Sequence, residues 1–172
     1  MNEPFFLLML GVLIGFCLVA FFSIIEALFA GLVEGITRAA DEKPGKAFWV
    51  GLVNTAFLTA IAIGLMSLAE ISRLGIVLAV PGLAVGIFVA AGIVFGLAGM
   101  VSLIAGLLFP GKEGWKSKAS GAGVLILACL VPYIGWFGLF PYVGLRGFGA
   151  FILHLMELYR ANRMKKQEAS LA

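Results

Sequence analysis

The chain has 172 residues, of which 62% are hydrophobic and only 12% are charged, about half the usual charged share of ~25%. A soluble domain of this length needs a polar surface, and this composition cannot supply one. The composition therefore excludes a soluble globular enzyme, a disordered chain and a nucleic-acid-binding protein. It predicts a single-domain integral membrane protein.

The first apolar block covers residues 5–30. A secretory signal peptide has an apolar core of about 7–15 residues that follows basic residues. This block is longer, and neither Lys nor Arg precedes it. At ~1.5 Å per residue it is long enough to cross a hydrocarbon layer of about 30 Å. We therefore predict that it is the first membrane span.

Two further spans are predicted over residues 47–69 and 82–109. The polar stretch between the first two spans ends at Pro44 and Gly45, which mark a turn. Pro81 is placed at the start of the third span, with its main helix beginning at Gly82, because proline is tolerated in a first turn. All apolar runs are continuous and lack two-residue alternation, which favours helices over a membrane β-barrel.

The distribution of basic residues predicts the topology. Ten of the 12 Lys and Arg residues lie in three segments, residues 38–46, 112–118 and 160–166. Positive charge is retained on the cytoplasmic side. These segments are therefore expected inside and the N-terminus outside, in the cell (inner) membrane.

The last apolar block, residues 119–159, must then enter the membrane and return. It contains Pro132, Pro141 and several glycines, which interrupt helices. We expect a short or re-entrant helical hairpin that turns at residues 132–136 or 140–144. An interfacial C-terminal helix and a cytoplasmic basic tail, residues 160–172, follow it. The predicted fold is an all-α membrane domain, residues 1–172, with about four transmembrane helices and five membrane-embedded segments.

Four ionisable side chains are candidates for ion or lipid contact. Glu26 lies in the last turns of the first span. One interpretation is that its carboxylate serves a proton or ion relay; the other is that it lies near the headgroups and pairs with Arg38. Arg146 lies among glycines in the last apolar block. It is expected at the tip of the hairpin, or snorkelling to a lipid phosphate, or paired with Glu70 or an anionic ligand. His154 and Glu157 are one helical turn apart.

With Arg160 and Arg163, His154 and Glu157 form a polar stripe at a spacing of three residues. This stripe is typical of an amphipathic helix at the membrane interface. A metal site needs more ligands than one His and one Glu.

Small residues indicate where helices approach closely. The third span contains the candidate helix-packing residues Gly82, Gly86, Gly92, Gly96 and Gly99. Glycines at such spacing allow close helix contact. The second span carries a weak polar stripe of Gly51, Asn54, Thr55 and Thr59, which is read as helix packing or as the lining of a pore.

No catalytic set is recognisable in the sequence. Cys17 and Cys129 lie far apart in apolar runs and have neither metal-ligand spacing nor a disulfide framework. There is no nucleophile–His–acid set and no phosphate-binding loop. We therefore expect no enzymatic activity, no metal and no cofactor.

A resemblance to a known family rests on two short motifs, VPYIGW at residues 131–136 and GFGA at residues 147–150. Together with the short apolar helix between them, they resemble the small membrane module attached to some bactofilin-like polymer-forming proteins. The resemblance covers residues 50–158 and implies a membrane anchor or an assembly element. The sequence differs from that pattern because it has an extra first span in place of a β-rich polymerising domain.

The sequence thus predicts a small structural or accessory membrane subunit that packs through glycine-rich helices. Its expected partners are other membrane subunits or itself, and anionic lipid headgroups on the basic face. The alternative is a small transporter or channel that uses Glu26 or Arg146 in a polar path.

Overall fold

A computed structural model describes residues 3–72, 75–110, 115–130 and 133–171. These residues form six α-helices and one π-helical segment, Ile134–Leu139, between α5 and α6. The α-helices are α1 (Glu3–Leu28), α2 (Ala30–Glu42), α3 (Pro44–Ile71), α4 (Gly75–Leu108), α5 (Trp115–Leu130) and α6 (Phe140–Leu171). Residues 111–114, which include Lys112 of the basic segment 112–118, lie outside the described residues, as do Val131 and Pro132.

Four helical stretches are long and apolar enough to cross a membrane within the described residues. They are Met9–Leu28, Pro44–Ile71, Gly75–Leu108 and Phe137–Gln167. The chain is thus an all-α, multi-pass membrane protein. The expected fifth segment is not among them, because α5 has only 16 residues. At ~1.5 Å per residue, α5 is about 24 Å long, which is less than the hydrocarbon thickness.

The polar stretch between the first two spans, for which the sequence predicts only a turn at Pro44 and Gly45, forms a helix, α2. A bend at Phe29 separates α2 from α1, although the amide of Val33 still donates to the Phe29 carbonyl at 3.0 Å. The buried residues of α2 are Val33, Gly35, Ile36, Ala39 and Ala40. Their spacing of three and four residues is helical, so α2 has one apolar face against the other helices.

Pro44 is the first residue of α3 and ends the preceding helix. Proline disfavours the α conformation at the residue before it, and Lys43 has φ −136° and ψ 57°. Backbone N–H groups in the first turn of a helix have no intrahelical acceptor, so a proline there removes no hydrogen bond of the helix. Pro44 therefore separates α2 from α3 within a single residue.

The prediction that the third helix begins at Gly82 is wrong. α4 begins at Gly75 and contains Pro81 in its interior. A proline there removes one backbone hydrogen bond, to the carbonyl four residues earlier. Apolar surroundings favour a continuous helix in spite of that loss, since every other backbone group must still be satisfied within the segment.

α3 and α4 form a long hairpin, and α6 packs across both of its helices. The core lies where these three helices meet α2, and its largest fully buried side chains are Phe148, Ile36 and Val33. α5 packs against α4, where Gly121 lies against Ala105. The described part of α1 contacts α5, α4 and α2.

The last apolar block divides at the residues that the sequence identified as a break. α5 ends at Leu130, and Tyr133 has φ 66°, which is uncommon for a residue other than glycine. Residues 140–144, the second predicted turn, are helical instead and begin α6. α6 continues past Tyr159 to Leu171, so the predicted C-terminal helix is part of it. The re-entrant membrane path of this block stays a prediction.

Candidate functional site

The polar side chains of the protein interior gather around α2. We call this region the α2 junction and define it by Gly35, Ile36, Thr37 and Ala40 of α2, Gly99 of α4, and Arg146 and His154 of α6. Glu26 of α1 lies nearby, against Ser102 of α4. Each contact of the junction joins residues that are far apart in sequence.

Gly99 allows α2 to approach α4 closely. A Cβ atom on Gly99 would lie 2.5 Å from Cγ2 of Ile36, which is too near for any real side chain. The Thr37 hydroxyl lies 2.8 Å from the Val33 carbonyl and 3.1 Å from the Gly99 carbonyl. Its single proton is donated to one of these two oxygens, so Thr37 contributes a polar contact between the helices.

His154 is buried against α2, with 7% of its surface exposed. Its imidazole ring occupies the space where a Cβ of Gly35 would be. Its Nδ1 atom has no hydrogen-bond partner within the described part of the chain. The expectation of an interfacial His–Glu stripe is therefore wrong for His154, whereas Glu157 remains exposed. Residues three apart on a helix of 3.6 residues per turn rotate by about 60° at each step, so such a stripe does not keep one face.

Arg146 binds the C-terminal end of α2. One guanidinium nitrogen donates to the Ala40 carbonyl at 3.0 Å, and another lies 3.4 Å from the Tyr142 hydroxyl. Within a helix the Ala40 carbonyl would accept from residue 44, but that residue is proline and has no N–H. Arg146 supplies the missing donor, and its positive charge suits the negative end of the helix dipole.

This position corrects the predictions for Arg146. The arginine is neither at the tip of a hairpin nor paired with Glu70, which is exposed at the far end of α3. Its Nε atom is buried and has no partner among the described residues. The neighbouring Leu145 and Gly149 contact Gly51, which fixes this turn of α6 against the start of α3.

Glu26 is 8% exposed and accepts a hydrogen bond of 2.9 Å from the Ser102 hydroxyl. It is therefore packed against α4 inside the protein. Arg38, the partner considered for it, is on the exposed side of α2. The Glu26–Ser102 contact links α1 to α4.

The glycines of α4 differ in what they face. Gly92 meets the Phe148 ring, and Gly96 meets the backbone of Gly147 and Phe148. A Cβ atom added to Gly82 would lie 3.1 Å from Cβ of Leu65 in α3. Gly86 has no atom within 4 Å of its ideal Cβ position. The α4 glycines around the core thus contact this chain's own helices, and Gly86 is open.

The polar stripe of α3 is also divided. Asn54 donates to the Val50 carbonyl of its own helix at 2.8 Å. Thr55 has a buried hydroxyl oxygen with no partner in the described ranges, and Thr59 is exposed. Gly51 is buried against α6. These residues do not share one common environment.

The described residues contain no group of three or more His, Cys, Asp or Glu side chains that could hold a metal ion. Cys17 is exposed on α1. The residues that sequence reasoning missed are Gly35, Thr37 and Ser102. The helical spacing of apolar residues in α2 would have indicated the first two, whereas a single serine in an apolar helix gives no signal.

No family model matches the chain, and neither a curated protein nor a solved structure matches it. The resemblance to the membrane module of bactofilin-like proteins stays a prediction.

Proposed function

We propose that this protein is a small structural or accessory subunit of the inner membrane. Its partner is a transmembrane helix of another membrane protein or of a second copy. The contact surface is the distal half of the α3–α4 hairpin, defined as residues 53–71 and 75–88. The observation that carries the proposal is Gly86, an open glycine on this uncovered surface.

The distal half of the hairpin is covered by little of the described chain. In α3 the buried residues are Ala47 and Gly51, both before residue 53. In α4 the buried residues are Gly82 and then Val89 onward. Large apolar side chains are exposed along both helices, and they include Phe57, Ile63, Ile76, Leu83 and Ile87. Lipid or a partner helix must cover them.

Open glycines favour a partner helix at this surface. Gly86 and Gly64 both have nothing within 4 Å of an ideal Cβ. Small residues allow two membrane helices to bring their backbones close, where van der Waals contact drives association. Gly92, Gly96 and Gly99 already serve this purpose inside the chain, which leaves Gly86 as the open α4 glycine within the distal half.

The polar interior is consistent with a structural role. Ser102 binds Glu26, Thr37 contacts the Gly99 carbonyl, and Arg146 binds the Ala40 carbonyl. Intramembrane polar groups are costly unless they are bonded. Here their bonds join one helix to another, which supports assembly of the bundle and not catalysis.

The test is Gly86→Leu, with Gly106→Leu as the matched control. Both glycines lie in α4 with nothing within 4 Å of an ideal Cβ, but Gly106 lies outside the distal half. We expect Gly86→Leu to lose about 90% of the partner that co-purifies in mild detergent, because the new side chain prevents close approach. The control should retain it. Mass spectrometry identifies the partner, and light scattering detects a second copy.

Equal retention of the partner by both variants would contradict the proposal.

The alternative function, a small transporter or channel, is favoured by one observation. The Nδ1 atom of His154 is buried and has no hydrogen-bond partner among the described residues. Such a nitrogen atom inside a membrane protein can form a hydrogen bond with a water molecule or bind a proton. Proton flux in proteoliposomes that is lost in Glu26→Gln would replace the structural proposal with this one.

We also propose that the C-terminus is cytoplasmic and the N-terminus outside. The Nζ atom of Lys43 lies 3.2 Å from Oε1 of Glu157. This contact supports placing the start of the basic tail on the same side of the membrane as the α2–α3 connection. Because both segments are rich in Lys and Arg, that side is the cytoplasm.

A further inference from the structure

A cavity of about 200 Å³ lies between the start of α3 and the C-terminal half of α6. Its lining residues are Lys43, Lys46, Leu153, Met156, Glu157 and Arg160. Three cationic side chains and one carboxylate therefore surround one small space. This cavity is separate from both the α2 junction and the distal half of the hairpin.

The charges in the cavity are unevenly engaged. Lys43 pairs with Glu157 at 3.2 Å, with 45% and 44% of the two side chains exposed. An exposed pair of this kind is weak, so a stronger anion can displace it. Lys46 and Arg160 have no carboxylate within ion-pair distance among the described residues. Two cations thus remain for an added anion.

The cavity also has an apolar side. Leu153 and Met156 precede Glu157 on α6, and Met156 is 48% exposed. Trp49, one turn after Lys46, is 64% exposed, and tryptophan is enriched at the level of lipid headgroups. A lining that combines cations with apolar side chains matches the boundary between a phospholipid headgroup and its acyl chains.

We propose that this cavity binds the phosphate group of an anionic phospholipid. Lys46 and Arg160 bind the phosphate oxygens, and Arg160 offers a fork of N–H donors that suits phosphate. Leu153 and Met156 contact the acyl chains. Glu157 holds Lys43 and thereby limits affinity, because its negative charge opposes the phosphate.

The experiment is native mass spectrometry of the full-length protein in mild detergent, titrated with phosphatidylglycerol, phosphatidylcholine or inorganic phosphate. Lys46→Gln and Arg160→Gln each remove one cation of the cavity. Lys165→Gln and Arg163→Gln are the matched controls, because they are exposed on the same helix and do not line the cavity. Circular dichroism checks that every variant keeps its helical content.

We expect phosphatidylglycerol to bind more tightly than phosphatidylcholine. Each cavity variant should weaken phosphatidylglycerol binding about fivefold, since one basic residue near anionic lipid contributes about 1 kcal/mol. Each control should change it less than about twofold. Glu157→Gln should strengthen binding, because it releases Lys43 and removes the opposing charge.

Three results would overturn the proposal. Equal losses in the cavity variants and the controls would show diffuse attraction to the whole basic tail. Binding of inorganic phosphate with the same dependence on Lys46 and Arg160, but without phosphatidylglycerol binding, would show a site for free phosphate. Weaker phosphatidylglycerol binding in Glu157→Gln would show that Glu157 supports the site.

Discussion

At the residue scale, one missing hydrogen-bond donor explains the position of Arg146. Pro44 cannot donate to the Ala40 carbonyl, and Arg146 does so from α6 at 3.0 Å. Ala40 is buried, and a buried carbonyl without a donor costs about 1–3 kcal/mol. An arginine that looks like a functional candidate in sequence is therefore also a structural requirement of the α2–α3 connection.

The closest approach between helices gives the first residue-scale prediction. A Cβ on Gly96 would overlap the Gly147 backbone. We expect Gly96→Leu to destabilise the protein by about 1–3 kcal/mol, because α4 and α6 must separate. Unfolding by detergent, followed by circular dichroism, measures this change.

Gly86→Leu is the control for this measurement, because a Cβ atom at residue 86 would have no atom within 4 Å. Both substitutions replace glycine by leucine in the interior of α4, so they gain the same helix propensity. The difference between them therefore isolates the clash. Equal stability of the two variants would show that α4 and α6 are not in this contact.

At the element scale, α2 is the helix whose packing joins the others. It is short, with 13 residues, and a helix of this length is marginal in isolation. Its stability therefore comes from its buried face, which packs against α4 and α6. The bend at Phe29 and the proline at residue 44 limit it at both ends.

The element-scale prediction concerns Ile36, which is fully buried and contacts Gly99. Ile36→Ala should lower stability by about 2–5 kcal/mol, as expected for truncation of a packed aliphatic side chain. Glu34→Ala, on the exposed face of the same helix, should change it by less than about 0.5 kcal/mol. Detergent-induced unfolding compares the two, and similar values would mean that α2 is not packed in this orientation.

At the scale of the whole molecule, orientation is tested by cysteine labelling in intact cells. In a background with Cys17→Ser and Cys129→Ser, a membrane-impermeant maleimide should label Glu70→Cys. It should not label Lys166→Cys until the membrane is opened. The physical reason is the concentration of Lys and Arg in the segments assigned to the cytoplasm. Labelling of Lys166→Cys in intact cells would contradict a cytoplasmic C-terminus.

Sequence reasoning was most reliable where a property is summed over a long segment. The apolar runs that make up most of α1, α3 and α4 are predicted as spans, since mean apolar content decides whether a segment enters lipid. It was wrong at Pro81, because a local proline rule competes with the demand for a continuous helix. It does not predict α2, because the charged residues of this segment mask the helical spacing of its apolar residues.

By itself the sequence determined that this is an all-α membrane protein. Its composition cannot give a soluble domain, and its continuous apolar runs lack the two-residue alternation of a membrane β-barrel. Only the tertiary structure decided that His154 lies over Gly35, that Arg146 binds Ala40, and that Gly86 stays open whereas Gly96 does not. Helix periodicity indicates which residues share a face. It does not indicate which other helix that face meets, since this depends on contacts between residues about 60 to 120 positions apart.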